Sequence, residues 1–135
     1  MAYWRLHYHL VWATRNREPL VDEPKERVIE ESLRGTADRL GLKVHAIGLM
    51  PDHCHVALSI PPKYAISDVI RQLKGASSHA ASLITNEKFS WQGGYGLLTF
   101  SDRGMEDVIA YVRNQKERHA RKDLFAKLEK EEGDE

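Results

Sequence analysis

Leu42-Lys43-Val44-His45-Ala46-Ile47-Gly48-Leu49-Met50-Pro51-Asp52-His53-Cys54-His55-Val56-Ala57-Leu58-Ser59-Ile60 is the stretch that decides the fold. Leu42 to Leu49 and His53 to Ile60 each read as a strand, and Met50-Pro51-Asp52 between them reads as a turn. In the first strand Leu42, Val44, Ala46 and Gly48 alternate with Lys43, His45, Ile47 and Leu49. In the second, His53 and His55 share one face while Cys54 and Val56 point to the other. Pro61-Pro62 ends this strand, because neither proline supplies a ladder N–H.

Working outward, Tyr3 to Thr14 is a further strand, with Trp4, Leu6, Tyr8, Leu10 and Trp12 at period two. Its other face carries Arg5, His7 and His9 and reads as polar. Arg15-Asn16-Arg17-Glu18-Pro19 is a loop. A helix follows from about Glu23 to Leu40, with Val28, Ile29, Leu33, Ala37 and Leu40 at helical spacing and Gly41 as its C-terminal cap. Downstream, a second helix runs from Ile66 or Ser67 to Ile84, with Ser67 as the N-cap. Trp91 to Gly96 is a glycine-rich bend leading into a strand, Leu97 to Ser101. Ser101 or Asp102 then caps a third helix, with Glu106 and Asp107 where the dipole favours acid, running to about Leu124.

The order β-α-β-β-α-β-α predicts an α+β fold: a ferredoxin-like antiparallel sheet with two helices on one face and an added C-terminal helix. Residues 1–124 read as one domain and 125–135 as a charged tail expected to fray.

At 135 residues the chain can build a core without staples, and its 41% apolar and 30% charged content is ordinary for a soluble protein. No apolar run approaches the ~20 residues of a membrane span. Arg5 and His7 interrupt any signal-peptide pattern, and the single Cys54 excludes an intramolecular disulfide, so a cytoplasmic address is expected. Net charge is zero, but the tail from Asp123 carries −4 and the preceding body +4. A modestly basic body is compatible with DNA binding.

Two features carry chemistry. His53 and His55, two apart on a strand, present side-by-side imidazoles that form half of a divalent-metal site; an HxH pair by itself is weak evidence and more often describes two polar strand histidines. Tyr111 and Gln115 lie at i,i+4 on the last helix, one turn apart on one face. Alone, Tyr111 reads as an ordinary half-buried helical tyrosine, although Val108, Ile109 and Val112 already supply the apolar stripe. Together the features make a mechanism. A phenol of pKa near ~10 is a poor nucleophile at neutral pH. A metal on the scissile phosphate's oxygen polarises phosphorus, and Gln115 can lend its carbonyl oxygen as a third ligand. Attack by Tyr111 leaves a covalent phosphotyrosine that allows rejoining without ATP. Imidazole plus amide oxygen suits Mg²⁺ or Mn²⁺ better than structural zinc.

Five ordered blocks extend the pattern: Tyr8 to Thr14 (YHLVWAT), Gly48 to His55 (GLMPDHCH), Leu73 to Ser78 (LKGASS), Trp91 to Gly96 (WQGGYG) and Tyr111 to Gln115 (YVRNQ). On these, over about residues 6 to 125, the chain resembles the single-tyrosine HUH transposases of the IS200/IS605 type. The resemblance implies metal ligands His53, His55 and Gln115, nucleophile Tyr111 forming a 5′-phosphotyrosine, and Mg²⁺ or Mn²⁺ as the ion. It also implies a homodimer with active sites shared in trans, and recognition of single-stranded DNA with hairpin ends. Relatives that process REP elements share this chemistry, and a domesticated, non-cleaving hairpin binder is the non-enzymatic alternative. The chain departs from the family pattern at Cys54, at Leu97-Leu98-Thr99-Phe100 and at Arg118-His119, none of which removes a catalytic group.

Candidate DNA contacts are Arg71, Lys74 and Ser78 on the second helix, Arg15 and Arg17 in the first loop, and Arg113 beside the nucleophile. The second-helix set reads equally as a solvated face with a small-residue packing spot at Gly75-Ala76, and Arg15, Arg17 and Arg113 are the weaker candidates. Trp91 and Tyr95 suit core packing better than base stacking, and His45 and His79 read as structural.

Overall fold

A computed structural model describes residues 3–115. The elements are β1 (His7–Ala13), α1 (Glu23–Leu40), β2 (Lys43–Met50), β3 (His53–Ser59), α2 (Ile66–Thr85), β4 (Gly96–Phe100) and α3 (Met105–Arg113), with short 3-10 turns at Arg15–Arg17 and Asp102–Gly104. The sheet order is β2-β3-β1-β4, every pair antiparallel. That is the expected α+β, ferredoxin-like arrangement.

Local chemistry sets the ends. Asp22 caps α1 by accepting from the Lys25 amide, and Gly41 closes it in the left-handed region at φ 74°. For α2 the expected cap is corrected. Ala65 occupies the N-cap without a side-chain bond, and Ser67 lies inside the first turn. The turn closes through the Ala65 carbonyl, which accepts from Asp68 and Val69. Ser101 and Asp102 likewise do not cap α3; Gly104 precedes it, and Asp102 bonds Arg5 and His7 instead. The first strand is shorter than its alternation suggested. Its partner β3 ends at Ser59, and after the Ile60 amide bonds the Leu6 carbonyl, Pro61-Pro62 supplies no further donor. The expected helix end near Leu124 and the tail 125–135 lie outside the described residues.

Between the sheet and α1/α2 lies the main core, including Leu10, Trp12, Ile29, Leu33, Leu58, Ile70 and Leu73, all fully buried. Cys54 and Val56 point into it, as the alternation of β3 predicts. In β2 the simple alternation fails. The register jumps between Val44 and Ala46, a β-bulge at His45. One extra residue switches the faces, so Val44, Ile47 and Leu49 pack on the main core while Ala46 turns to the opposite side. There α3 covers a smaller cluster of Ala46, Ala57, Tyr111 and Val112, flanked by Phe100, Val108 and Ile109.

Candidate active site

The face under α3 is built from small residues and histidines. On β3, His53 and His55 point toward it, opposite Ala13 and Val11 on β1 and Met50 and Gly48 on β2. Their ring centroids are 5.0 Å apart. Gly48 brings the helix down onto the sheet. A Cβ at that position would lie 2.2 Å from the Val112 carbonyl oxygen and 3.3 Å from Gln115 Cγ. Gln115 is therefore seated beside the strand position that pairs with His55. Tyr111, one turn earlier, places its ring 5.6 Å from that of His55 and 5.8 Å from that of His9.

All four residues singled out in the sequence thus converge within a single chain, and all are buried: His53, His55 and Gln115 at 1% exposure or less, Tyr111 at 4%. Each imidazole is oriented through Nδ1. His53 Nδ1 bonds Asp52 Oδ1 at 2.7 Å, and His55 Nδ1 bonds His9 Nε2 at 2.9 Å. With Nε2 as the ligating nitrogen, Nδ1–H is the donor in both pairs, the usual support of a metal-bound histidine. Gln115 folds its amide back so that Nε2 donates to the Tyr111 carbonyl at 2.7 Å. Its Oε1 is buried and accepts no hydrogen bond from the described residues. Among the described residues no group of three His, Cys, Asp or Glu side chains could hold a metal ion, so a third donor drawn from these residues would be of another kind. The orphaned amide oxygen of Gln115 fits that need: two imidazoles and one carbonyl oxygen can hold a divalent ion.

Sequence reasoning missed the role of His9. Its period-two position on the polar face of β1 was visible, but only the β1–β3 register brings it against His55. Asp52 was read as part of a turn, yet it links His53 to Arg17, whose guanidinium lies 3.4 Å from the same carboxylate.

The candidate DNA contacts scatter. Arg113 is exposed and, with Gly48, Asn114 and Gln115, lines a groove of about 460 Å³ beside the site. Arg15 is exposed in the first 3-10 turn, and Arg17 makes the ion pair with Asp52. Arg71 is ion-paired with Asp68, and with Lys74 and Tyr95 lines a cavity of about 450 Å³ remote in sequence from the histidines. Lys74 Nζ donates to the carbonyls of Gln92 and Gly94, which staples the glycine-rich bend to α2. Ser78 Oγ donates to the Gly75 carbonyl. Trp91 packs between Trp12 and Phe89 and donates to Ser77, a core role. His45 bonds Ser59, also structural.

Similar proteins share both fold and sequence. The chain is 31% identical over 119 residues to the ISDra2 transposase TnpA of Deinococcus radiodurans, covering 83% of this chain and 85% of that protein. It is 32% identical over 75 residues to the transposase for insertion sequence element IS200 of Salmonella typhimurium, covering 56% of this chain and 49% of that one. A crystal structure from Deinococcus radiodurans, assigned as a transposase, superposes with a TM-score of 0.69 at 28% identity, covering 85% of this chain and 95% of that chain. A REP-associated tyrosine transposase bound to a REP hairpin has the same fold, with a TM-score of 0.68 at 16% identity over 88% of this chain and 74% of that chain. The family profile described as "Transposase IS200 like" matches residues 2–115, and the chain belongs to that family of Y1-type, DNA-cleaving transposases.

Proposed function

We propose that the protein cuts and rejoins single-stranded DNA at insertion-sequence ends, through a 5′-phosphotyrosine on Tyr111 and with Mg²⁺ or Mn²⁺ held by His53, His55 and Gln115. The observation that carries this reading is the convergence of α3 on the histidine pair, with the buried Gln115 Oε1 left without a donor. When bound, the ion supplies positive charge at the scissile phosphate and so lowers the cost of the charge that develops there. Tyr111 Oη gives up its proton and bonds phosphorus while the bond from phosphorus to the 3′ oxygen breaks. The leaving 3′ oxygen takes up a proton, and the 5′ phosphate stays on the tyrosine. Attack by another 3′-hydroxyl reverses the step and rejoins the strand without ATP. Asp52 and His9 keep the two imidazoles aimed throughout.

His53 and His55 are buried beneath α3, and Tyr111 and Gln115 are buried where that segment faces them, so a DNA strand reaches all four when the helix lifts. A lifted helix can also serve a partner's histidines, which supports a homodimer with sites shared in trans. Edge strand β4 exposes Leu97 at 39% and Leu98 at 45%, an apolar margin suited to a second copy. Arg113, on the groove beside Gln115, is better placed to contact phosphate than Arg15, Arg17, Arg71, Lys74 or Ser78. Hairpin recognition at the element's ends follows the relative bound to a REP hairpin. No helix among the described residues is long and apolar enough to cross a membrane. The buried thiol of Cys54 suits a reducing cytoplasm.

The test is a denaturing gel of protein incubated with single-stranded DNA from its own element's ends and Mg²⁺ or Mn²⁺. A protein–DNA adduct is expected, absent from Tyr111→Phe and from His53→Ala. An equal adduct yield from Tyr111→Phe would sink the proposal. Mixing those two inactive variants should restore cutting if sites are shared between chains, and no restoration assigns Tyr111 to its own subunit.

A further inference from the structure

Beyond the metal centre, the α3 face of the sheet carries a second polar cluster that the reaction above does not use. A cavity of about 280 Å³ opens where the segment before β1 meets the start of β2 and the first residue of α3. Trp4, Arg5 and Lys43 stand around it, with His7, His45 and Ser59 in its lining. Ser59 Oγ lies 2.7 Å from His7 Nδ1 and 2.7 Å from His45 Nε2. His7 Nε2 lies 2.5 Å from Asp102 Oδ1, and Arg5 Nε donates to the same carboxylate at 2.9 Å. A serine hydroxyl has one proton, so at least one of the two imidazoles donates to it.

The charge around this cavity is lopsided. Against the one carboxylate of Asp102 stand the guanidinium of Arg5 and the ammonium of Lys43. Partial burial first, then His7 and Lys43, hold the His45 pKa below its ordinary value, so this imidazole adds hydrogen-bonding groups to the cavity while Arg5 and Lys43 supply its positive charge. At the rim the Trp4 indole is 41% exposed. An exposed aromatic beside cations and fixed hydrogen-bonding groups is the arrangement that binds unpaired nucleotides: the ring takes a base and the cations take its phosphate. Ser59 lies four residues beyond His55 on the same face of β3, about 14 Å along the strand. The cavity therefore lies within a short run of DNA from the cutting site.

We propose that this cavity is a nucleotide subsite for single-stranded DNA, taking a base against Trp4 and the adjoining phosphate at Lys43 and Arg5. The proposal rests on the reading of the protein as a single-strand DNA enzyme and adds where the strand is gripped away from the reacting phosphate. Asp102, His7, Ser59 and His45 form the rigid floor that holds the cavity open, and the hydrogen bonds of Ser59 to two imidazoles fix it as part of that floor.

The test separates gripping from cutting. Binding of a fluorescein-labelled, ~12-nucleotide oligothymidylate to the full chain is followed by anisotropy without divalent metal, so that no chemistry occurs. Trp4→Ala should weaken binding at least about fivefold while Trp4→Phe stays within about twofold, since stacking survives with any aromatic ring. Lys43→Ala should weaken binding and reduce the slope of log K against log salt by about one. Both alanine variants binding like the unsubstituted protein would overturn the subsite. So would an altered oligomeric state of Trp4→Ala on gel filtration, which would make the indole a protein contact. If binding falls as expected but the unsubstituted protein forms no adduct through Tyr111 when metal is supplied, the grip stands and the cutting reaction fails. If an adduct forms but binding does not depend on Trp4 or Lys43, the cutting reaction stands and the subsite fails.

Discussion

Gly48 decides how closely α3 approaches His53 and His55, the proposed metal ligands. Any side chain there meets the Val112 backbone carbonyl, which cannot rotate away as a flexible side chain would. Gly48→Ala should therefore push α3 off the sheet, costing about 1–3 kcal/mol as an overpacked contact does. Urea denaturation would register that loss, and adduct formation should fall further, because Gln115 and Tyr111 move together. A Gly48→Ala protein with unchanged stability and cutting would show that α3 does not seat on this glycine in the active form. The HxH and Tyr-x-x-x-Gln spacings were legible in the sequence because each depends on one element's own periodicity. The support from His9 was not, since it arises from strand pairing across 46 positions of chain.

At the scale of elements, a carboxylate sits at or just before the start of each helix. Asp22 caps α1, Asp68 lies in the first turn of α2, and Asp102 lies in the turn leading into α3. All three are held below the ordinary carboxylate pKa: Asp22 by the Lys25 amide first, Asp68 by Arg71 and Gln72, Asp102 by Arg5 and then His7. A depressed carboxyl contributes stability above its unfolded value of 3.8 and loses it as pH falls through the lower folded value. Helix starts should therefore weaken together in acid, and Asp102→Asn should show a smaller fall in urea midpoint than the unsubstituted protein between about pH 5 and about pH 3. The half-buried His45, beside His7 and Lys43, adds a loss that begins earlier, as pH drops below its ordinary 6.5, because the unfolded chain then takes up a proton that the folded one resists. Element order and type could be read from the sequence because the hydrophobic period is strong in each. Of the misread details, Tyr3 as strand and the parity of β2 turn on where a partner strand's pairing stops or slips by one residue. Ser67 as a cap turns on α2 starting one residue earlier, at Ile66, with the Ala65 carbonyl as its first acceptor.

For the molecule as a whole, the sheet is covered unequally. One face lies under two long helices and a continuous core, whereas the other, described through residue 115, lies under nine-residue α3 with Tyr111 and Val112 as its buried side chains. At about 1.5–3 kcal/mol for each large apolar side chain, those two stabilise α3 far less than the main core stabilises the rest. The proposed catalytic groups stand on the weaker side, and the proposed reaction also needs α3 to open there for DNA to enter. Heating should therefore separate inactivation from unfolding: strand cutting should fade, and α3 amides should exchange with solvent, at temperatures where the sheet and α1/α2 still give their full circular dichroism. Coincident loss of both signals would mean that α3 is held as firmly as the core. On the expected outcome, the enzyme's working temperature is set by how firmly α3 is held, and substitutions that merely harden the main core will leave it where it is.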